Sequence, residues 1–298
     1  MLTAVAICLD GLVYASWLFM VSVGLTLIYG VMKILNIAHG SLYAIGAYMA
    51  ASFIGFYFAQ GYIPVLSYLV LVAAAVIVGI VSGLLIERGI LRFMYVRDEV
   101  LMVLVTYAIS LILEDFVKIT WGVNPYFAFQ PYGLLGVVDV FGLSYSVYDL
   151  CLIGLAAIVG LAVWWGLNLT RVGKLLIAVI HDREMSLSVG INVTAVFTAT
   201  FIIGAILGAL GGAFTAPKIS VVPGMGVEVI VLAFAVAVIG GLGSIGGALM
   251  GALIVGLVRA AAVHLMPELE LFVIYVVMAI VLAVRPHGLF ARPEARKI

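Results

Sequence analysis

Residues 34–86 read ILNIAHGSLYAIGAYMAASFIGFYFAQGYIPVLSYLVLVAAAVIVGIVSGLLI and contain no Lys, Arg, Asp or Glu. A helix that crosses a bilayer needs about 20 predominantly apolar residues, so this run is long enough for two spans. Gln60, Gly61 and Pro64 interrupt the run and predict the turn between those spans. Apolar and polar residues do not alternate as they do in the strands of a membrane β-barrel, so the run predicts helices.

The whole chain shares this apolar character. Its 298 residues include 14 Lys and Arg and 14 Asp and Glu, so 9% are charged and 66% are hydrophobic. A soluble chain of this length would carry about 75 charges, and a soluble fold could not bury so much apolar surface. The composition therefore predicts an integral membrane protein. It excludes a disordered chain and a disulfide scaffold, and the net charge of zero excludes a nucleic-acid binder.

Other apolar runs supply the remaining spans. Four uncharged runs are long enough: residues 11–32, 150–170, 185–217 and 229–258. Two shorter runs, residues 100–113 and 271–284, become spans when their flanking residues lie at the interface. The chain is thus predicted to be all-α and polytopic, with about eight or nine spans in one transmembrane domain, residues 1–298. Residues 228–266 fit either two spans, the second containing Arg259, or one span and a re-entrant segment.

The basic residues predict the orientation, because Lys and Arg are concentrated in cytoplasmic loops. They form three clusters: Arg88, Arg92 and Arg97; Arg171, Lys174 and Arg183; and Arg285, Arg292, Arg296 and Lys297. The intervening loops are almost free of Lys and Arg. We expect the loop at 170–193 and the tail at 285–298 to be cytoplasmic, and the N-terminus to be outside.

Sequence signatures of catalysis are missing. The chain has no G-x-S-x-G and no H-E-x-x-H, and its four histidines are far apart, so neither a catalytic triad nor a metal site is indicated. Gly173-Lys174 is followed by Leu175 rather than Ser or Thr, so there is no Walker A motif. We therefore predict a chain that is not an enzyme and binds no cofactor. Any ATP that drives it must be hydrolysed by another chain.

Polar residues interrupt the apolar sequence at residues 30–41, GVMKILNIAHGS. Polar groups at membrane depth are functional candidates, and Gly40 allows the backbone to unwind or to approach another helix. The predicted substrate-pathway residues are Asn36, His39, Gly40 and Ser41. The alternative is an interfacial turn in which Lys33 extends to the surface and Asn36 caps the next helix.

A second motif lies in the basic loop. Residues 184–190, EMSLSVG, combine a charge with small and apolar residues at helical spacing and end in a glycine. They predict a short amphipathic helix across the membrane surface, suited to a groove on a partner protein. An interfacial helix without a partner is the alternative.

A third motif is rich in glycine. Gly243, Gly247 and Gly251 are spaced to share one face of a helix, and such faces permit close backbone contact in membranes. This face could form a subunit interface, line a narrow pathway or pack within the chain.

Residues 24–48, GLTLIYGVMKILNIAHGSLYAIGAY, resemble the signature of LivH-type permeases of bacterial branched-chain amino acid ABC importers. The companion LivM type carries a segment similar to GQISLGHA at this place. The resemblance continues through residues 170–173, 190–192 and 240–248, and so covers essentially the whole chain.

The resemblance implies a multi-pass permease of the bacterial cytoplasmic (inner) membrane that imports branched-chain or other hydrophobic amino acids by alternating access. Its partners would be a second permease of the LivM type, two cytoplasmic ATPase subunits that use ATP and Mg²⁺, and an external solute-binding protein.

The resemblance also implies a role for the second motif. ABC importer permeases carry a coupling helix of the form E-A-A-x-x-x-G, which docks on the ATPase. Glu184 and Gly190 match this form, whereas Met185 and Ser186 replace the two alanines. The implied coupling residues are Asp182, Arg183, Glu184, Met185, Ser186 and Gly190.

Three alternatives remain open from the sequence. The substrate could be urea or a short amide. The chain could be an ion-driven transporter or a channel, although it has few of the paired intramembrane carboxylates that such proteins use. It could also be a structural subunit of a larger membrane complex.

Overall fold

The computed structural model of the protein describes residues 2–95 and 97–290, without the side chains of Arg183 and Leu271. The helices in this part of the chain are α1 Leu2–Met32, α2 His39–Ala59, α3 Ser67–Gly89, α4 Glu99–Trp121, α5 Val147–Leu169, α6 Arg171–His181, α7 Arg183–Ser188, α8 Val193–Thr215, α9 Met225–Gly240, α10 Ile245–Leu265 and α11 Glu270–Val284. Two short strands, β1 Val137–Val140 and β2 Leu143–Ser146, pair as an antiparallel hairpin.

The helix lengths confirm a polytopic helical membrane protein. Seven helices of the described chain are long and apolar enough to cross a bilayer: α1, α2, α3, α4, α5, α8 and α10. The helices α9 and α11 are apolar but shorter. At 16 residues, α9 is about 24 Å long, which is less than the roughly 30 Å thickness of the hydrocarbon core. The uncertain region at 228–266 thus holds one short helix and one full-length helix.

The bundle has two ends, which we name by the elements found there. At the hairpin end, Asp10 near the start of α1 accepts a hydrogen bond from Tyr145 of β2 at 3.0 Å and lies 2.7 Å from His264 at the end of α10. At the opposite end, the α7 end, Gly30 of α1 packs against Gly243, which precedes α10. The helices α1 and α10 therefore run antiparallel. Burial, and then the hydrogen bond to Asp10, raises the pKa of Tyr145 to about 12.

Close backbone contacts hold the centre of the bundle together. Gly204 and Gly212 of α8 lie directly against the backbones of α1 and α2, at Gly24 and Tyr43 respectively. A side chain at either glycine would overlap backbone atoms of the neighbouring helix. Glycine thus permits helix approaches that stabilise packing in a bilayer, where no hydrophobic effect draws helices together.

Arg259 lies within α10 and is only partly exposed. Its guanidinium forms an ion pair with Glu270 of α11 and lies 4.1 Å from the centroid of the Tyr14 ring of α1. A charged side chain in a membrane span needs such partners. The arginine therefore links three helices at the hairpin end.

The predicted glycine face is wrong in one respect. Gly243 is not helical, since it lies in the turn between α9 and α10 with φ of 82°. Gly247 and Gly251 do share one face of α10, and α9 of the same chain covers that face at Gly240 and Val236. Only glycine readily adopts the positive φ that this turn requires. The tight turn places α9 and α10 in direct backbone contact.

Candidate substrate cleft and docking helix

The chain is not helical between α1 and α2, and Thr106 of α4 holds this break in place. Its buried hydroxyl oxygen accepts a hydrogen bond from the Ile37 backbone N–H at 3.3 Å. The single hydroxyl proton has two acceptors in reach, the carbonyl oxygens of Val103 in α4 at 3.0 Å and of Leu35 at 3.2 Å. Non-helical backbone is tolerated at membrane depth only where protein or water satisfies its polar groups. The break is therefore a built feature rather than a frayed helix end.

The break also reaches deep into the bundle. His39, the first residue of α2, lies with Nε2 2.9 Å from the carbonyl oxygen of Val21 in α1. Val21 precedes Met32 by three turns, which places the start of α2 about 16 Å from the end of α1. Residues 33–38 thus run from the end of α1 back toward the middle of the bundle, and α2 starts there.

Asn36 is fully buried at this break. Neither atom of its amide group has a hydrogen-bond partner among the described residues, and the same is true of His39 Nδ1. The N-cap of α2 is Ala38, which makes no side-chain cap, so the interpretation of Asn36 as a capping residue is wrong. A buried amide without partners is unfavourable and calls for a function, a bound water or a second conformation.

The helix α9 begins at the same depth. Gly226 in its first turn packs directly against the backbone of Gly40, so the starts of α9 and α2 cross inside the bundle. The residue before α9, Gly224, has φ of 88° and supplies no side-chain cap. Glu228, also in the first turn, is exposed on the surface of this chain.

A cleft lies beside this crossing, between α2, α4 and the start of α9. Its polar groups come from Ser41 and Tyr48 of α2 and from Glu114 of α4, and Leu113, Val222 and Val227 add apolar surface. The enclosed space is about 20 Å³, which is room for one water-sized group.

The predicted pathway residues do not all reach the cleft. Ser41 lines it, Gly40 forms the helix crossing behind it, and Asn36 and His39 are buried in the break. Glu114 and Tyr48 were not among the predicted pathway residues. On α4, Glu114 forms an ion pair with Lys118, whose Nζ lies 2.9 Å from Glu114 Oε1. A carboxylate seven residues inside the end of a span was the signal that could have found the cleft.

At the α7 end, the predicted short helix is confirmed. Asp182 begins α7 by accepting a hydrogen bond from the Met185 N–H at 2.9 Å, and Gly190, with φ of 89°, ends it. Ser186 is buried and donates to the Asp182 carbonyl oxygen at 2.6 Å, so it faces the chain's own helices. The helix is thus fixed at its start, on its inner face and at its end.

Apolar side chains of α7 and of the residue after it are exposed. Met185 is 62% exposed, Leu187 54% and Val189 73%, and Glu184 is exposed beside them. The structure describes the backbone of Arg183 but not its side chain.

These features define a class of protein. Membrane-length helices surround a cleft where two helices start inside the bundle, as in polytopic membrane permeases. The chain belongs to the family described as "Branched-chain amino acid transport system / permease component", whose model matches residues 7–282. This confirms the resemblance to LivH-type permeases.

Individual relatives cover nearly the full chain. It is 28% identical over 297 residues to the high-affinity branched-chain amino acid transport system permease protein LivH of Salmonella typhimurium, covering 97% of this chain and 96% of the relative. The corresponding permease protein BraD of Pseudomonas aeruginosa is 28% identical with the same coverage. A probable LivH protein of Methanocaldococcus jannaschii is 28% identical and covers 93% of this chain and 90% of its own. No solved structure matches the chain.

Proposed function

We propose that this chain is the permease subunit of an ABC importer that moves branched-chain or other hydrophobic amino acids inward, driven by ATP hydrolysis in separate subunits. The family match over residues 7–282 is the observation that carries this proposal. The relatives' names supply the substrate class, because they are permease proteins of branched-chain amino acid transport systems.

The coupling role falls to α7. Three apolar side chains are exposed beside Glu184: Met185 and Leu187 of the helix, and Val189, which follows it. A short helix with exposed apolar side chains suits a groove on a partner protein. The partner in this proposal is an ATPase subunit, which binds ATP and Mg²⁺, so that Asp182, Glu184, Met185, Ser186 and Gly190 present and shape the docking surface.

The α7 end is cytoplasmic in this proposal. Arg88, Arg92, Arg171 and Lys174 are exposed there, and basic loops remain on the cytoplasmic side. The hairpin end and the N-terminus then face outward, where a solute-binding protein delivers substrate. The tail residues Arg292, Arg296 and Lys297 lie outside the described residues.

The substrate pathway includes the break at Asn36, His39, Gly40 and Ser41. The amide of Asn36 has no hydrogen-bond partner among residues 2–95 and 97–290, and α2 and α9 cross beside it, so in this proposal a change of conformation exposes polar groups here. Alternating access with a second, LivM-type permease would open the pathway to each side in turn. ATP drives the change by binding the two conformations with different affinity.

Reconstitution tests the proposal. The chain is assembled in proteoliposomes with the second permease, ATPase and binding protein of its own system, and uptake of radiolabelled L-leucine is measured with and without ATP. We expect ATP-dependent uptake. Uptake of urea but not of leucine would overturn the substrate class, and uptake driven by an ion gradient without ATP would overturn the importer proposal.

A matched pair of variants tests the coupling helix. Ser188→Pro breaks α7, whereas Ser188→Ala removes the hydroxyl and keeps the helix. We expect Ser188→Pro to remain in the membrane and to lose most ATP-driven uptake, while Ser188→Ala retains it. Equal uptake by both variants would contradict the role of α7.

A further inference from the structure

One carboxylate, that of Glu114 of α4, lines the cleft between α2, α4 and α9. Glu114 lies seven residues, or about 10 Å, inside the end of α4 at Trp121. Lys118 Nζ lies 2.9 Å from its Oε1. A carboxylate at this depth is unfavourable unless it has a partner, and such residues mark substrate or ion pathways.

Tyr48 is an independent sign of a ligand. The residue lines the cleft and is fully buried, and its hydroxyl has no hydrogen-bond partner within the described chain. The Trp121 ring lies over it at a centroid distance of 5.2 Å. A buried hydroxyl left without a partner costs about 1–3 kcal/mol, so a polar group entering the cleft would recover this energy.

The opposite wall of the cleft offers hydrogen-bond donors rather than acceptors. Gly224, the residue before α9, and Gly226, in its first turn, line this wall. The Met225 and Val227 N–H groups bond to the Val222 and Gly224 carbonyl oxygens, and the other N–H groups of the first turn, together with the helix dipole, favour an anionic group. Neither glycine has a side chain that would keep a ligand away. The cleft therefore sets oxygen acceptors on one side against backbone donors on the other.

We infer that this cleft binds the ionic head of a zwitterionic α-amino acid. The ammonium group lies against Glu114, Ser41 and Tyr48, whose oxygens can accept its three N–H donors. The carboxylate lies at the first turn of α9. This inference rests on the proposed function, because it names the residues that recognise the transported substrate.

The size and lining of the cleft fit a ligand whose ionic head is enclosed and whose side chain lies at the mouth. The enclosed space of about 20 Å³ holds a group the size of water, such as an ammonium. The aliphatic side chain then lies at the mouth, against Leu113, Val222 and Val227.

The test compares two neighbouring carboxylates of α4 in the complete importer. Glu114→Gln removes the negative charge that would pair with the ammonium group, and Asp115→Asn removes that of a carboxylate that is 72% exposed and also lies within 3.5 Å of Lys118. The initial rate of L-leucine uptake is measured in proteoliposomes at saturating binding protein. We expect Glu114→Gln to lose about tenfold or more, as for a hydrogen bond to a charged group, and Asp115→Asn to match the wild type.

Tyr48→Phe provides a second readout that is insensitive to folding, because the hydroxyl it removes has no partner in the described structure. We expect a severalfold loss of uptake with unchanged amounts of assembled complex. If the wild type transports leucine and both Glu114→Gln and Tyr48→Phe transport it equally well, the cleft is not the binding site and the importer function stands. If the wild type does not transport leucine under ATP, the importer function itself fails, and with it the assignment of the cleft.

Discussion

Thr106 shows how one hydroxyl can support an irregular backbone inside a membrane. Replacing it with Val preserves the shape of the side chain and leaves the Ile37 N–H without its acceptor. An unsatisfied buried group costs about 1–3 kcal/mol, so we expect Thr106→Val to lower the thermal unfolding midpoint of the purified protein.

Thr120→Val serves as the control for this prediction. Thr120 lies on the same helix and is exposed, and among the described residues its hydroxyl bonds only to the carbonyl of the preceding turn, at Phe116. Its replacement should leave the midpoint nearly unchanged. A Thr106→Val protein as stable as Thr120→Val would show that the clamp on the break is dispensable.

Gly40 supports a second prediction at this scale. A Cβ atom there would overlap the backbone carbonyl of Gly226, whereas one at Gly154 of α5 would have open space. Overpacking of this kind typically costs about 1–3 kcal/mol, so Gly40→Ala should be less stable than the wild type and Gly154→Ala should not. Unfolding of both variants in the same detergent gives the comparison, and equal stability would refute the close contact between α2 and α9.

The short helix α7 begins with a side-chain cap from Asp182. Asp182→Ala removes the acceptor for the Met185 N–H, and loss of an N-cap costs about 0.5–2 kcal/mol. A helix of only six residues is too short to stay folded after this loss of stability, so we expect weaker attachment of the ATPase and slower ATP-driven uptake. Co-purification of the ATPase with the permease measures the attachment.

Asp182→Asn separates the cap from the charge, because asparagine caps helices about as well as aspartate. It should retain the ATPase. If the asparagine and alanine variants lose it to the same degree, the charge of Asp182 rather than the cap is responsible.

How far the elements could be predicted depends on what each one contacts. Long uncharged runs predicted the membrane helices, and Gly190 predicted the end of α7, because bilayer thickness and local backbone geometry decide these features. Gly243 was placed on a helix since its spacing matched Gly247 and Gly251, but the turn joining α9 to α10 needs its positive φ. The capping role expected of Asn36 failed because α2 starts at His39, at a depth that α1 and α8 determine.

The candidate site was predictable only in part for the same reason. Ser41 was found because polar residues interrupt an apolar run. Tyr48 looks like any aromatic residue in a span. Only the folded chain shows that its buried hydroxyl, beside Glu114 in the cleft, has no hydrogen-bond partner in the part of the chain that the structure describes.

For the whole molecule, the charge distribution predicts the orientation. In a variant with Cys8 and Cys151 replaced by Ser, a single cysteine is introduced at Asp139 of the hairpin or at Ser188 of α7. Both positions are exposed. A membrane-impermeant maleimide should label Asp139→Cys in intact cells and should label Ser188→Cys only after permeabilisation. The opposite pattern would invert the topology.

The glycine contacts of α8 also affect how the chain assembles while it is being synthesised. Gly46 of α2 and Gly79 of α3 pack against α8 at Ala209 and Ile206, so the first helices are completed by one that is encoded much later. At 5–20 residues per second, residue 193 is synthesised roughly 7–27 s after residue 59. During that interval the early helices wait in the bilayer with their small-residue faces unfilled. The newborn chain is therefore most open to degradation or to mispairing with other helices before α8 emerges.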